Sequence, residues 1–164
     1  MPIQINGSAG TITGVSTGGL PDGIVDADML ASGVGGKILT SGVTGSWSGS
    51  TASTSYVDST SFNVTPSATS SKILILAVMN HVQDSRTAWA AQVLRDSTQI
   101  YEKSQWKFAS TNRNFGILSF IILDEPNTTS QITYKFQVKR TTPGGTGSDG
   151  FNYGGNYVYF EVAG

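Results

Sequence analysis

The sequence predicts an all-β protein, an antiparallel jelly-roll-like β-sandwich preceded by an extended Gly-rich N-terminal arm. Three observations lead there. The chain changes character near Ser50, from Gly, Ser, Thr and scattered aliphatic residues to one apolar-rich run after another. From Thr51 onward apolar residues recur with a period of two, the spacing that sends alternate side chains to opposite faces of a strand. Residues suited to tight turns separate those runs. The boundaries drawn from this contrast are an anchoring and assembly arm over 1–50 and a sandwich head over 51–164.

Within the arm, turn signals follow closely on one another: Asn6-Gly7, Gly18-Gly19, Pro21-Asp22-Gly23 and Gly35-Gly36, then Gly42, Gly45 and Gly49. A single helical turn over Ala27–Ala31, capped by Asp26 and stopped by Gly33, is too short to hold itself, because helix nucleation is costly. Ile3, Ile5, Ile12, Val15, Leu20, Ile24, Met29 and Leu30 supply apolar points between the glycines, too sparse for one copy to bury. Three copies wound together would bury them and offset the entropy lost in ordering so many glycines, so an intertwined homotrimer is expected.

In the head the expected strands run over Thr54–Val57, Ser61–Val64, Lys72–His81, Thr87–Arg95, Gln99–Lys103, Phe115–Leu123, Gln131–Arg140 and Tyr157–Val162. Ile132, Tyr134, Phe136 and Val138 alternate with Thr133, Lys135, Gln137 and Lys139, which gives one dry face and one wet face. The runs Ile73–Met79 and Ile117–Leu123 are apolar on both faces and need a second cover, from an oligomer interface or from the arm. Arg95-Asp96-Ser97-Thr98 is expected as a tight hairpin, and Asp124–Thr129 as the next connection. Thr141–Asn156 is too polar and Gly-rich for a core and reads as an exposed loop.

With 10 basic and 11 acidic residues the net charge is -1, so no field draws the chain to nucleic acid. Charged residues make up 13% of the 164 residues, well below the usual share of about a quarter, which suits subunit packing or contact with sugars. There is no cysteine, which removes disulfides, thiolate metal sites and a thiol nucleophile. Met1-Pro2-Ile3-Gln4 lacks the pattern of a secretory signal, and no apolar run is long enough to span a bilayer. Synthesis in a cytoplasm without membrane insertion is expected.

Several segments carry a likeness to a known family. Thr51–Asp58, Val64–Ile75, Leu94–Ile100 and Leu123–Lys135 resemble a β-sandwich module recurring at the ends of tailed-bacteriophage structural proteins, especially those of marine phages. Ile3–Gly10 and Gly23–Ala31 are similar to the starts and linkers of phage fibre and appendage proteins. The resemblance implies a virion structural protein made in the host cytoplasm, a homotrimer whose arm attaches to other virion proteins of tail or capsid. The implied head points outward, toward a host-surface glycan or protein. A short tail fibre or appendage is the leading expectation. Phage fibres are often much longer, with repetitive shafts, and this chain has hardly any shaft; a capsid-attached head fibre or decoration protein therefore stays open. A free carbohydrate-binding module is the reading from another class.

Nothing in the sequence specifies an enzyme or a cofactor. The lone histidine, His81, has Asp84 three residues on, but no Gly-x-Ser-x-Gly elbow supplies a nucleophile, and a polar residue at a strand end explains it. Asp22, Asp26 and Asp28 lack the spacing of a calcium loop and fit turn and cap roles. Recognition by loops remains, since aromatic rings stack on sugars while amides bind their hydroxyls. Tyr101, Trp106, Arg113 and Asn114 form one candidate contact group, and Asp149, Phe151, Asn152 and Tyr153 the other. The plainer reading of these aromatics is burial at the sandwich ends or between subunits.

Overall fold

The computed structural model describes residues 4–6, 11–13, 38–40, 42–83, 88–107, 114–141 and 151–164. Compactness divides the chain into two units, Met1–Val34 and Gly35–Gly164. In the first, β1 (Gln4–Asn6) pairs antiparallel with β2 (Thr11–Thr13), and Ile5 stands opposite Ile12. Two of the expected anchoring residues thus share one hairpin. Ile3, Val15, Leu20, Ile24, Met29, Leu30 and the expected helical turn lie outside the described residues.

Among its described residues the second unit forms eight strands: β3 (Val43–Thr51), β4 (Val57–Val64), β5 (Lys72–Gln83), β6 (Ala88–Arg95), β7 (Thr98–Lys107), β8 (Asn114–Asp124), β9 (Ile132–Arg140) and β10 (Phe151–Val162). They form two antiparallel four-stranded sheets, ordered β3-β10-β5-β8 and β4-β9-β6-β7. The chain crosses from one sheet to the other at every connection but β6–β7, and each sheet pairs strands far apart in sequence, β3 with β10 and β4 with β9. That wiring is a jelly roll, as the sequence reading expects.

Two boundaries move. The sandwich takes in β3, of which the sequence reading assigns 43–50 to the arm, because β3 pairs along its length with β10. The glycines there are not turns. Gly45 faces Tyr157, Gly155 faces Trp47 and Gly49 faces Tyr153, so each inward ring lies over a residue with no side chain. A methyl at Gly155 would meet the Val78 carbonyl oxygen and approach Trp47 Cζ2 to 2.8 Å. Gly155→Ala is therefore expected to cost about 1–3 kcal/mol through overpacking, read as a lower denaturant midpoint with an unchanged slope. At the other boundary, β10 begins at Phe151, so the tail of the expected loop is strand. Thr54–Tyr56 does not form a strand of its own. Ser53 Oγ accepts from the Ser55 amide at 3.0 Å and donates to the Ser55 carbonyl at 2.7 Å, a local turn that competes with pairing.

The core lies between the sheets. On β9, Ile132, Tyr134, Phe136 and Val138 are buried while the intervening residues are half-buried, the alternation that the sequence shows. Opposite them β5 contributes Ile73, Ile75, Ala77 and Met79. Aromatic rings bridge the layers: Trp47 stacks on Phe136 with centroids 5.2 Å apart, and Phe62 on Tyr157 and Tyr159 at 4.6 and 4.7 Å. The predicted hairpin at Asp96-Ser97 is present. Asp96 takes φ 54, a left-handed conformation that Asp tolerates, and its Oδ1 accepts from the Thr133 amide at 2.9 Å.

Candidate functional site

The strand registers gather the connections at two ends. Thr51, Phe151, Gln83 and Asn114 stand in one row across the first sheet, and Trp106, Trp89 and Arg140 in one row across the second. The β3–β4, β5–β6, β7–β8 and β9–β10 connections therefore leave from the same end. Residues 38–40 join at the opposite end, where Ile38 bridges Val162 and the Leu39 amide donates to the Glu161 carbonyl at 2.7 Å.

This arrangement sorts the candidate contact residues. Trp106, Asn114 and Phe151 sit on strand ends at the loop end, with side chains outside the described part, and Arg113 and Asp149 lie outside the described residues altogether. Members of both groups, distant in sequence, thus lie at the same end of the sandwich. Asn152 is exposed on β10. Tyr101 stands within β7 and is half-buried, its ring edge-on to Phe120 at 5.3 Å. Tyr153 is a correction: it is 9% exposed and belongs to the core, over Gly49, because β10 starts early enough to turn it inward. It does not face solvent as a receptor contact.

His81 is also interior, at 2% exposure, with its ring edge-on to Trp89 at 4.8 Å and against Gly116. Burial lowers its pKa from 6.5, so the folded protein resists a proton that the unfolded chain takes up. Asp84 lies outside the described residues. Glu161 is 3% exposed. Burial pushes its carboxyl up, but hydrogen bonds from the Ser67 hydroxyl and amide, both at 2.6 Å, and from Ser71 outweigh this and lower it from 4.5. Both folded pKa values lie below the unfolded ones, so both contributions are complete above the unfolded values and are lost as pH falls. The melting temperature should hold above pH 6.5, fall as the pH drops below it, and fall further below 4.5. Glu161→Gln should flatten the lower stage, and a melting temperature that rises on acidification would contradict the sign for both groups.

Among the described residues no group of three or more His, Asp or Glu side chains is placed to hold a metal. No helix of the described residues is long and apolar enough to cross a membrane.

An apolar surface runs over the outer face of the sheet β3-β10-β5-β8. Odd-numbered residues of β5 point inward, so Leu74, Leu76 and Val78 point out. Registers align Leu74 with Leu123 and Phe160, and Leu76 with Ile121 and Val158. Beyond these rows Phe115 and Ile117 continue along β8 at 74% and 67% exposure, and Ile121 is 76% exposed. An open groove of about 900 Å³ runs across this face, floored by Ala77, Phe120 and Tyr157 and walled by Leu76, Ile121 and Val158. The expectation that β5 and β8 are apolar on both sides is met, and no described residue covers the outer side. The sequence signal was present: uninterrupted apolar runs where one-sided strands alternate.

No protein-family model matches the chain, and no curated protein matches its sequence. Solved structures do match in three dimensions. The structure of infectious bursal disease virus strain Gx superposes with a TM-score of 0.53 at 12% identity, over 75% of this chain and 32% of that one. The T13 particle of the same virus gives 0.52 at 9% identity, over 73% and 31%. Its VP2 subviral particle gives 0.50 at 13%, over 73% and 32%. The chain shares the fold of these viral capsid proteins. It spans about a third of their length, and at this identity the likeness establishes the jelly roll alone.

Proposed function

We propose that this protein is a non-enzymatic structural component of a tailed-bacteriophage particle, a short tail fibre or appendage built as a homotrimer. The carrying observation is the polarity of the sandwich. Its chain enters at one end, through residues 38–40, while four connections leave from the other. Such a unit can be mounted by its N-terminal side on tail or capsid proteins and present loops to a host-surface glycan or protein. The jelly roll itself supports a particle role, since the proteins that share it here build virus particles. The wide, largely uncharged face suits a subunit of an assembly better than a freely diffusing enzyme or carbohydrate-binding module.

The second reading, a capsid-attached head fibre or decoration protein, is favoured by the same fold likeness, because those relatives in fold are capsid proteins. Antibody labelling of intact particles in the electron microscope separates the two. Label at the tail, with purified protein that binds host cells and competes with infection, supports the appendage. Label on DNA-filled heads selects decoration. Particles without label overturn the virion reading.

A further inference from the structure

The geometry points to the outer face of the sheet β3-β10-β5-β8 as the contact between copies of this chain. The inference deepens the homotrimer proposed above and shares its assumption that the chain self-associates, but not its assumption of a place on the virion.

Charge is the first argument for a second copy. Along the outward positions of the four strands the described residues are Thr44, Ser46, Ser48 and Ser50 on β3; Asn152, Gly154, Asn156, Val158, Phe160 and Val162 on β10; and Lys72, Asn80, Ser119 and otherwise apolar residues on β5 and β8. The one charged outward residue described on the four strands is Lys72, at the margin, and it is paired with Glu125 at 2.7 Å. A face whose one charge is marginal and already paired meets itself with little like-charge repulsion and without burying an unpaired ion. It offers a charged partner little to bind.

Area is the second argument. Four strands about 4.8 Å apart and about nine residues long, at about 3.4 Å per residue, make a plane of roughly 19 by 30 Å, on the order of 600 Å². Its apolar share, on β5, β8 and part of β10, reaches the size of the largest apolar patches on monomers, which are often functional. Two such faces in contact bury on the order of 1,200 Å², enough for a specific interface. The partner also needs to be flat, because sheets pack on sheets with side chains interdigitated. Another copy supplies a matching sheet, with large Leu76 and Ile121 beside small Ser46 and Ser119 to interlock. In a threefold arrangement each face is shared between two neighbours, so the three faces together bury on the order of 1,800 Å² around the axis.

Sedimentation equilibrium of the full chain tests this, with Ile117→Glu and Ile121→Glu as variants and Ser61→Glu, exposed on the other sheet, as the control. Both isoleucines project into solvent in a single copy, so a carboxylate there leaves the fold intact; far-UV circular dichroism and melting check this, and Ile121→Thr replaces any variant that fails. The expected result is a threefold mass for the wild type and the control and a single-chain mass for the isoleucine variants. A wild-type dimer that these variants dissociate supports the face and overturns the threefold arrangement. Folded variants that keep the wild-type mass overturn the face and leave the arm as the assembling element. A monomeric wild type at concentrations on the order of 100 μM overturns both. Particle labelling reads the virion proposal independently.

Discussion

Phe136→Ala is expected to lower stability by about 3–5 kcal/mol, the range for deleting a buried aromatic ring whose surroundings cannot collapse into the space. Phe136 is 3% exposed on β9 and is the residue on which the two sheets meet. Its ring stacks on Trp47 at 5.2 Å and on Tyr157 at 6.1 Å, and Phe120 meets it edge-on at 5.8 Å. Those three come from β3, β10 and β8, all in the opposite sheet. Phe62, on the neighbouring strand of its own sheet, is 6.3 Å away. Each neighbour is a rigid ring held by further rings, so relaxation into the void is limited and the cavity term is large. A domain of this size loses about 2–4 °C of melting temperature per kcal/mol, so the drop should be on the order of 10 °C. Phe136→Leu, which keeps most of the volume, should cost well under half as much. Equal losses in the two variants would show that ring stacking, not filled volume, holds the sheets together.

How much of this was legible in the sequence depends on whether a signal is local. The alternation of β9, the hairpin at Asp96-Ser97 and the two-sided apolar runs of β5 and β8 are properties of a few consecutive residues, and each is found where the sequence places it. Strand β3 is the opposite case. Gly45-Ser46-Trp47-Ser48-Gly49 reads as a flexible arm because a glycine in a strand leaves nothing to pack. Its complement, Tyr153-Gly154-Gly155-Asn156-Tyr157, lies roughly a hundred residues away, and only the register that sets ring against glycine gives either segment meaning. The same early start of β10 turns Tyr153 into the core, where loop reasoning had put it outside. Sheet order, and with it the placement of members of both candidate loop groups at one end, is likewise long-range. The sequence names the loops but not that they share an end.

Asp124→Ala should cost about 3 kcal/mol, although Asp124 sits at a strand end and not in the apolar core. Asp124 closes β8, is 8% exposed, and accepts from two groups of the opposite sheet. Arg95 Nη1, at the end of β6, donates to its two carboxylate oxygens at 2.9 and 3.0 Å. The Tyr134 hydroxyl, on β9, donates to Oδ2 at 2.6 Å, and burial together with this bond raises the tyrosine pKa strongly. Removing the carboxylate strands both donors, and leaving a buried partner unpaired costs more than the pair itself contributes. Arg95 keeps one bond, to the Glu125 carbonyl at 3.1 Å, and its side chain is 25% exposed, which holds the loss toward the lower end for a broken buried pair. Tyr134→Phe removes only the hydroxyl and should cost about 1–2 kcal/mol. In the double variant the hydroxyl no longer seeks a partner, so the total should fall short of the sum by on the order of 1 kcal/mol. Urea unfolding of the four proteins closes this cycle, and strict additivity would mean that the carboxylate and the phenol do not act on each other. By contrast Lys72→Ala, which breaks the exposed pair with Glu125 beside it, should change the midpoint very little.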